Sequence, residues 1–366
     1  MIVIGAGIVG CAVAHELARR GASVEIVDER PVGMGATQAS AGVLAPYIEA
    51  DREGALLELT VRSLAIYDDF MTRVSAESGI AVPYRRTGTL DVAMSESEMQ
   101  ALNAAAHTLA TRGVPARLLD AAGVRAEEPH IGDGAVGALL IDTHGFVAAT
   151  ELTRALVVGA RRAGAQLIEQ RRVRRITCDN DEFVVETDRG SLSGDAVVVA
   201  AGCWSGQIAI DGVTARVPVR PVRGQLLSLA WIGTPLRRVT WSRRCYLVPW
   251  EDGTVLLGAT VEEAGFDERA TVAGVHDLLD AACELVPHAW TAGFRGAKVG
   301  LRPGTADGLP VIGASRAAPN LMYASGHYRN GVLLAPLTAQ FVADAMLEDR
   351  IDPLMALLSP SRFGDL

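Results

Sequence analysis

The hydrophobic and polar residues at the start of the chain alternate in a pattern that predicts specific elements. A short apolar run at residues 2–4 precedes a glycine-rich stretch, a helical stretch at residues 11–20 and a second apolar run at residues 23–27. Gly21 separates the helical stretch from the second run. Short apolar runs joined through a helix are typical of parallel strands buried on both faces. The first 27 residues therefore predict a strand–helix–strand unit.

Later segments continue with both helical and strand patterns. Helices are predicted at residues 53–78, 95–111 and 150–163, and strands at residues 166–172, 183–186 and 196–200. Antiparallel strands are predicted at residues 88–94 and 217–229, and as a hairpin of residues 245–249 and 254–261 around a turn at residues 251–253. Ser95 and Glu98 form a capping box at the start of one helix. The pattern indicates an α/β protein in which a Rossmann-type domain is interleaved with a mostly antiparallel β-sheet domain.

The first strand–helix–strand unit carries a dinucleotide-binding fingerprint. Gly5, Gly7 and Gly10 form a GxGxxG motif directly after the first strand, and Asp28 ends the second strand 18 residues after Gly10. Gly5 suits a tight turn, Gly7 lets the backbone approach a pyrophosphate, and Gly10 lets the helix lie close to the strand. The helix N-terminus offers unpaired N–H groups to phosphates, whereas Asp28 would repel a 2′-phosphate. The motif predicts a dinucleotide other than NADP.

The sequence after the second strand narrows the choice of dinucleotide. The chain turns into a loop of small residues at 33–42, and no second glycine fingerprint follows downstream. A separate nicotinamide reductant therefore has no obvious docking site of its own. This arrangement favours a tightly held redox ring that the substrate reduces directly.

Composition excludes several classes of function. Hydrophobic residues make up 49% and charged residues 21% of the 366 residues, which is typical of a globular protein. Lys and Arg number 34 against 43 Asp and Glu, a formal net charge of -9. This charge gives no electrostatic basis for nucleic-acid binding and disfavours anionic membrane surfaces. No apolar run approaches the roughly 20 residues of a membrane span.

Cysteine and histidine spacing predicts neither a disulfide framework nor a metal site. The chain has five cysteines without a CxxC pair, which fits a reducing cytoplasm. Six of the seven histidines lie outside the motifs described below, and we expect them on solvated or helical faces; they are His15, His107, His130, His144, His276 and His288.

Motifs in the last third of the chain resemble the glycine oxidase branch of the D-amino-acid oxidase family. They are YLVP at 246–249, GATVEEAGFD at 258–267, GLRPGT at 300–305, DGLP at 307–310 and GHYRNG at 326–331. The loop SAG at 40–42 and AAGCW at 200–204 match as well. The resemblance implies non-covalent FAD and oxidation of glycine, another small amine or a D-amino acid to its imine, with O2 reduced to hydrogen peroxide. In many bacteria this branch supplies dehydroglycine for the thiazole of thiamine.

The resemblance also implies a division into two domains. We expect a discontinuous FAD-binding domain at residues 1–80, 145–215 and 300–366, and a substrate-binding domain at residues 81–144 and 216–299. The antiparallel sheet of the second domain would lie over the flavin.

Cofactor contacts are carried over from the family position by position. In the turn and at the ribose they are Gly5, Gly7, Ile8, Val9, Gly10, Asp28 and Glu29. In the small-residue loop and beyond they are Ala36, Thr37, Ala41, Gly42, Val43, Val173 and Gly202. Along the flavin ring they are His327, Tyr328, Arg329, Asn330, Gly331, Val332 and Leu333. The helix that begins at Gly331 would direct N–H groups to the pyrimidine edge, where negative charge accumulates as hydride arrives.

Three residues are expected to bind the substrate. Arg302 would clamp the substrate carboxylate bidentately, Tyr246 would add a hydroxyl to the same carboxylate, and Arg329 would be a second substrate-side group. Trp250 and Arg244 depart from the family pattern. If Arg244 points into the pocket, a substrate with a second anionic group becomes plausible. The basic run at residues 171–175 is expected to be a solvated strand edge.

Two other functions stay open at this point. One is an FAD-dependent dehydrogenase that passes electrons to a carrier other than oxygen, and the other is a flavin-binding sensor without turnover. The expected partners are a small amino-acid substrate and O2, with no nucleic acid, membrane or metal. The family also implies a homo-oligomer, either a dimer or a tetramer.

Overall fold

The computed structural model describes residues 1–49, 54–179, 182–213, 216–316, 318 and 320–366. The strands in the first half are β1 (Ile2–Ile4), β2 (Glu25–Val27), β3 (Val43–Leu44), β4 (Tyr84–Arg85), β5 (Thr89–Ala93), β6 (Ala116–Asp120), β7 (Gly137–Ile141), β8 (Gly145–Val147), β9 (Gln166–Ile168) and β10 (Val173–Asp179). The later strands are β11 (Glu182–Thr187), β12 (Gly190–Gly194), β13 (Val197–Val199), β14 (Ala209–Ile210), β15 (Arg220–Ala230), β16 (Val239–Trp241), β17 (Tyr246–Pro249), β18 (Thr254–Gly258), β19 (Gly293–Gly304), β20 (Val311–Ala314) and β21 (Leu321–Ser325). The helices are α1 (Ile8–Arg19), α2 (Pro46–Glu49), α3 (Ala55–Ala65), α4 (Tyr67–Ser78), α5 (Glu96–Thr111), α6 (Ala121–Glu127), α7 (Ala149–Arg162), α8 (Val272–Leu285), α9 (Gly331–Glu348) and α10 (Met355–Leu358).

The predicted strand–helix–strand unit lies in a six-stranded sheet with the order β20-β21-β13-β1-β2-β9. All neighbours pair in parallel except β20 and β21. Val3 packs on one face with α1, α7 and α9, whereas Ile2 and Ile4 pack on the other face with a four-stranded sheet of β12-β11-β10-β14. Burial on both faces explains why β1 is apolar at every position.

An eight-stranded, mostly antiparallel sheet forms the second half of the architecture. Its order is β19-β15-β18-β17-β16-β5-β7-β6. One face packs on α8 through residues such as Leu227 and Leu257, and the opposite face carries Leu226 and Tyr246. The predicted hairpin is present as β17 and β18, with Tyr246 opposite Gly258. The predicted fold class is confirmed.

The helix predicted at residues 53–78 is two helices, α3 and α4, which meet at Ile66. The predicted start at residue 53 lies outside the described residues. No periodicity marks the break at Ile66. The strand predicted at residues 166–172 is shorter than expected, because β9 ends at Ile168 and the next strand, β10, begins only at Val173.

Two hydroxyl groups on α3 and α4 support the first turns of α9. Pro336 lies inside α9 and has no N–H group, so the carbonyl of Val332 lacks its usual helical donor. The Tyr67 hydroxyl donates to this carbonyl at 3.1 Å, and the Ser63 hydroxyl donates to the Leu333 carbonyl at 2.6 Å. The Tyr67 bond thus replaces the helical donor that the internal proline removes, and the Ser63 bond adds a second contact to the same turn.

The N-cap predicted at Ser95 is present, and the Glu98 half of the capping box is shifted by one residue to Met94. The Glu98 N–H donates to Ser95 Oγ at 3.3 Å, and a Glu98 carboxylate oxygen accepts from the Met94 N–H at 2.7 Å. α5 therefore begins where the sequence predicts.

Among the described residues, α9 is the helix long and apolar enough to cross a membrane by length and composition. Buried residues make up 61% of it, and it packs on α1 and α3 in the largest hydrophobic cluster. Its apolar character follows from this position in the core.

Candidate active site

A cavity of about 570 Å³ lies at the carboxyl ends of β1, β2 and β13 and extends to the eight-stranded sheet. Gly5, Asp28 and Ala200 line it from the parallel sheet, and Tyr246 and Arg302 line it from the antiparallel sheet. Ligands of doubly wound sheets bind at this edge. The cavity is therefore the candidate site for both cofactor and substrate.

Most of the residues predicted to contact the cofactor line this cavity. They are Gly5, Gly7, Ile8, Val9, Asp28, Glu29, Ala36, Thr37, Ala41, Gly42, Val43, Val173, Gly202, His327, Tyr328, Arg329, Gly331 and Val332. Three others do not reach the wall. A Cβ on Gly10 would collide with the Gly5 carbonyl oxygen, Asn330 is the buried N-cap residue of α9, and Leu333 is packed in the core.

Asp28 fixes the glycine-rich turn. Its two carboxylate oxygens accept from the Ala6 N–H at 2.6 Å and from the Arg30 N–H at 2.8 Å. Burial raises the pKa of Asp28, although these two backbone donors act in the opposite direction. Each oxygen keeps a second lone pair that can accept from a ribose hydroxyl.

Two helices begin on the cavity wall. α1 starts at Ile8 and α9 starts at Gly331, and both residues line the cavity. The first N–H groups of a helix lack partners within it and attract negative charge. The backbone at Gly7 is open to the cavity, because a Cβ there would meet only Thr37 Oγ1, at 3.6 Å. The residues present thus fit a dinucleotide with a pyrophosphate and a ring that becomes electron-rich.

Arg302 and Tyr246 converge over two glycines. Arg302 lies on β19 and Tyr246 on β17, separated by β15 and β18. A Cβ on Gly224 of β15 would overlap the Arg302 guanidinium, and a Cβ on Gly258 of β18 would meet the Tyr246 ring. The two glycines thus let both side chains lie flat on this face of the sheet.

The Arg302 guanidinium has no carboxylate partner among the described residues. Its Nη1 donates to the Thr260 carbonyl at 2.9 Å and to the Arg223 carbonyl at 3.4 Å. Burial lowers the pKa of Arg302, although the group stays cationic at neutral pH. A half-buried cation with unused donors on a cavity wall is a site for an anion.

Arg329, in contrast, is already paired. Its Nε and Nη2 contact the two carboxylate oxygens of Glu49 at 2.5 Å and 2.9 Å. Burial disfavours the charge on Arg329, but the nearby Glu49 carboxylate outweighs this effect, so the pKa of Arg329 is raised. The guanidinium also lies 5.8 Å from the centroid of the Trp241 ring, which stacks on Tyr246 at 4.6 Å.

The Tyr246 side chain is a neutral phenol at this position. Burial raises its pKa, and the charges of Arg302 and Arg329 only partly oppose the shift. A neutral phenol can donate a hydrogen bond to an acid group held by Arg302.

His144 supports the helix that carries Glu49. It is fully buried, its Nδ1 lies 2.7 Å from Thr89 Oγ1, and its Nε2 accepts from the Tyr47 N–H at 3.4 Å. The His144 and Tyr47 rings stack at 5.5 Å. The expectation that His144 lies on a solvated or helical face was wrong, because it is buried between β7 and β8. His15 is also buried and pairs with Glu77 at 2.7 Å.

We expect the free energy of unfolding to decrease as the pH falls from 6.5 toward 3. Burial lowers the pKa of His144 and of His327 from 6.5 to about 3, so over this range the unfolded state binds more protons than the folded state. Each histidine contributes up to about 1.4 kcal/mol per pH unit. His144→Gln should reduce the slope of unfolding free energy against pH, measured by urea titration. The exposed His107→Gln should leave it unchanged, and equal slopes for all three proteins would contradict the prediction.

Neither of the two departures from the family pattern lines the cavity. Arg244 is exposed and pairs with Asp280 at 2.8 Å and with Glu284, both on α8. It points away from the cavity and offers no site for a second anionic group. Trp250 packs edge-on against Phe146 at 4.8 Å.

The basic run at residues 171–175 lies partly on the cavity wall, which the sequence does not predict. Arg172 and Arg174 are exposed, as expected of a strand edge, but with Arg171 they also line the cavity next to Glu29. Among the described residues, no group of three or more His, Cys, Asp and Glu side chains is placed to hold a metal ion.

Several wall residues were not identified from the sequence. They are Glu49, Gly224, Arg30 and Trp204, together with Trp241 behind Tyr246. For Glu49, its position shortly after the small-residue loop was a local indication that it could reach the cavity. The others act through partners far away in the chain, which spacing does not reveal.

Comparison with known proteins places the chain among flavoenzymes. The DAO family, described as FAD dependent oxidoreductase, matches residues 1–345. Glycine oxidase of Geobacillus kaustophilus is 33% identical over 346 residues, which cover 93% of this chain and 91% of that protein. A crystal structure of glycine oxidase from Geobacillus kaustophilus superposes with a TM-score of 0.94, at 32% identity and with 99% and 98% of the two chains covered.

A further relative is a longer protein. The bifunctional protein ThiO/ThiG of Nostoc sp. is 32% identical over 367 residues, which cover 99% of this chain but 55% of that protein. The chain thus spans about half the length of this relative. Together the family match, the relatives and the fit of the cavity to a dinucleotide confirm the predicted cofactor and enzyme class: the chain belongs to the DAO family of FAD-dependent oxidoreductases.

Proposed function

We propose that this protein oxidises glycine, or another small amine or D-amino acid, to the imine and reduces O2 to hydrogen peroxide. The observation that carries the proposal is the half-buried Arg302 guanidinium, which has no carboxylate partner among the described residues and lines the cofactor cavity. An amino acid brings the missing carboxylate. The relatives named glycine oxidase support the same substrate class.

Arg302 would hold the substrate carboxylate through two parallel N–H···O bonds, and the Tyr246 hydroxyl would donate a third. This clamp fixes the Cα–H bond in one orientation, which removes much of the entropic barrier to transfer. When bound, FAD would supply the two-electron acceptor, and O2 would then take up the two electrons with two protons and become hydrogen peroxide.

Positive charge in the cavity favours the deprotonated form of the substrate amine. Arg302 and Arg329 both face the cavity, but Glu49 neutralises Arg329, so Arg302 is the main source of positive potential. Positive potential lowers the pKa of an amine and favours its neutral form. A neutral amine expels hydride from Cα with its own lone pair, so the reaction requires no side-chain base. Glu49 is bound to Arg329 and is not free to act as one.

The same proposal includes the domain division given above and the residue roles. Residues 1–80, 145–215 and 300–366 would bind FAD, and residues 81–144 and 216–299 would cover the substrate. A homo-oligomer, either a dimer or a tetramer, is proposed from the family resemblance and is tested by sedimentation velocity of the holoenzyme. A cytoplasmic location stays a prediction from the cysteine pattern.

Anaerobic mixing with glycine, sarcosine and D-alanine tests the proposal directly. Loss of oxidised-flavin absorbance, followed by peroxide when air is admitted, is the expected result. Flavin reduction without peroxide would instead favour a dehydrogenase. No reduction by any of the three amines would overturn the proposal in favour of a non-catalytic flavoprotein or another substrate.

A further inference from the structure

An ion pair links the two large sheets next to the turn that follows β2. The two terminal nitrogens of Arg30 contact the two carboxylate oxygens of Glu268, each at 2.8 Å. The Arg30 guanidinium lies 4.5 Å from the centroid of the Trp204 ring. Arg30 and Trp204 line the cofactor cavity, whereas Glu268 comes from the chain that follows β18 in the antiparallel sheet.

The segment that carries Glu268 is firmly held at its base. We call residues 261–270 the bridging segment. The buried Arg223 of β15 contacts Glu262 at 2.5 Å and Asp267 at 3.0 Å, and Gln225 donates to Glu262 at 2.8 Å. The bridging segment is thus anchored to its own sheet.

The tip of the bridging segment contacts the parallel-sheet side of the molecule. The Phe266 ring lies 6.0 Å from the Trp204 ring, and Glu268 pairs with Arg30. The N–H of Arg30 also donates to Asp28, so the arginine belongs to the turn that faces the ribose. Contacts from both sheets therefore meet at the adenosine part of the cavity.

We propose that Arg30, Glu268 and Trp204 form a clamp across the adenosine part of the FAD site and slow the release of FAD. Because Arg30 and Trp204 form the cavity wall, a dinucleotide leaving that part of the site has to displace them. Their displacement requires the two ion-pair contacts and the cation–π contact to break together. These are positioning residues for the cofactor, and none of them takes part in amine oxidation.

The partial exposure of the pair limits its effect on folding. The side chains of Arg30 and Glu268 are 33% and 30% exposed, and ion pairs of this exposure contribute little to global stability. An ion pair that serves only the fold would leave the rate of FAD release unchanged when it is removed. Removal of a clamp would raise the rate of FAD release but leave the unfolding free energy of the apoprotein nearly unchanged.

The test compares FAD release from three variants: Glu268→Gln, Arg30→Gln and the double variant. Each holoenzyme is diluted, and free-flavin fluorescence is followed over time. We expect release to be about tenfold faster in both single variants, which corresponds to about 1.4 kcal/mol. The double variant should release FAD no faster than the faster single variant, because one broken partner already opens the clamp.

Glu263→Gln is the matched control. Glu263 lies on the same bridging segment and pairs with Arg220 at an exposed position, and neither residue lines the cavity. Its release rate should equal that of the unmodified protein. High salt should accelerate release from the unmodified protein more than from Glu268→Gln, since salt screens the ion pair.

Equal release rates for the unmodified protein, Glu268→Gln and Arg30→Gln would overturn the proposal. So would an equal acceleration in Glu263→Gln, because the effect would then come from the segment as a whole. The measurement uses no amine substrate, so its result tests the clamp independently of the proposed amine oxidation.

Discussion

Replacement of Arg302 by alanine is expected to lower kcat/KM for glycine by a factor of about 10² to 10³. Loss of one partner from a buried, charge-assisted pair costs about 2–5 kcal/mol, and each 1.4 kcal/mol is a factor of ten. Most of the loss should appear as a higher KM, because the clamp binds the carboxylate in both the ground state and the transition state. Peroxide formation at increasing glycine concentration measures both parameters.

Two comparisons separate this role from a general disturbance. Arg302→Lys keeps the charge but not the planar pair of donors, so it should recover only part of the affinity. Arg244→Ala removes an exposed guanidinium that points toward α8, and it should leave KM unchanged. Arg302→Ala with bound FAD and an unchanged KM for glycine would remove Arg302 from the clamp role.

The second large effect is expected at the glycine-rich turn. A Cβ on Gly10 would collide with the Gly5 carbonyl oxygen, and because this oxygen belongs to the backbone, no side-chain rotation relieves the contact. Gly10→Ala should therefore lower the free energy of unfolding of the apoprotein by about 1–3 kcal/mol. It should also lower FAD affinity at least about tenfold, because the turn that faces the phosphates is displaced.

Gly7→Ala should separate cofactor binding from stability. Gly7 has φ -74°, which alanine adopts without strain, and its Cβ would meet only Thr37 Oγ1 within the protein. The unfolding free energy of the apoprotein should change by less than about 0.5 kcal/mol. FAD affinity should still fall at least about tenfold, because the added methyl group occupies the surface that the pyrophosphate approaches.

Flavin titration of the apoproteins and urea unfolding measure these two quantities independently. Unchanged FAD affinity in Gly7→Ala would mean that the pyrophosphate does not approach this residue. Unchanged stability in Gly10→Ala would mean that α1 lies farther from β1 than described.

Features that depend on close neighbours in the chain were predictable. The GxGxxG turn with Asp28, the N-cap at Ser95 and the hairpin at Tyr246 each involve residues that are adjacent or within one unit of structure. Their geometry follows from local backbone preference, so the order of residues carries the information.

The break between α3 and α4 was not predictable in this way. Apolar periodicity continues through Ile66, yet Ser63 and Tyr67 on either side of it donate to carbonyls of α9 more than 260 residues away. The need for the Tyr67 donor arises from Pro336, and no local pattern near Ile66 indicates it.

The sequence by itself thus determined the α/β architecture and the dinucleotide turn, and it singled out Arg302 and Tyr246, which both line the cavity; their roles stay predictions. Only the tertiary structure decided that Glu49 neutralises Arg329 from 280 residues away, which leaves Arg302 without a carboxylate partner among the described residues. The pairing of β15 with β19 likewise sets Gly224 opposite Gly300, two residues from Arg302, and the Arg302 side chain reaches across the strands to cover Gly224. These contacts join segments that are distant in the chain, and residue spacing does not encode the distance between such segments in space.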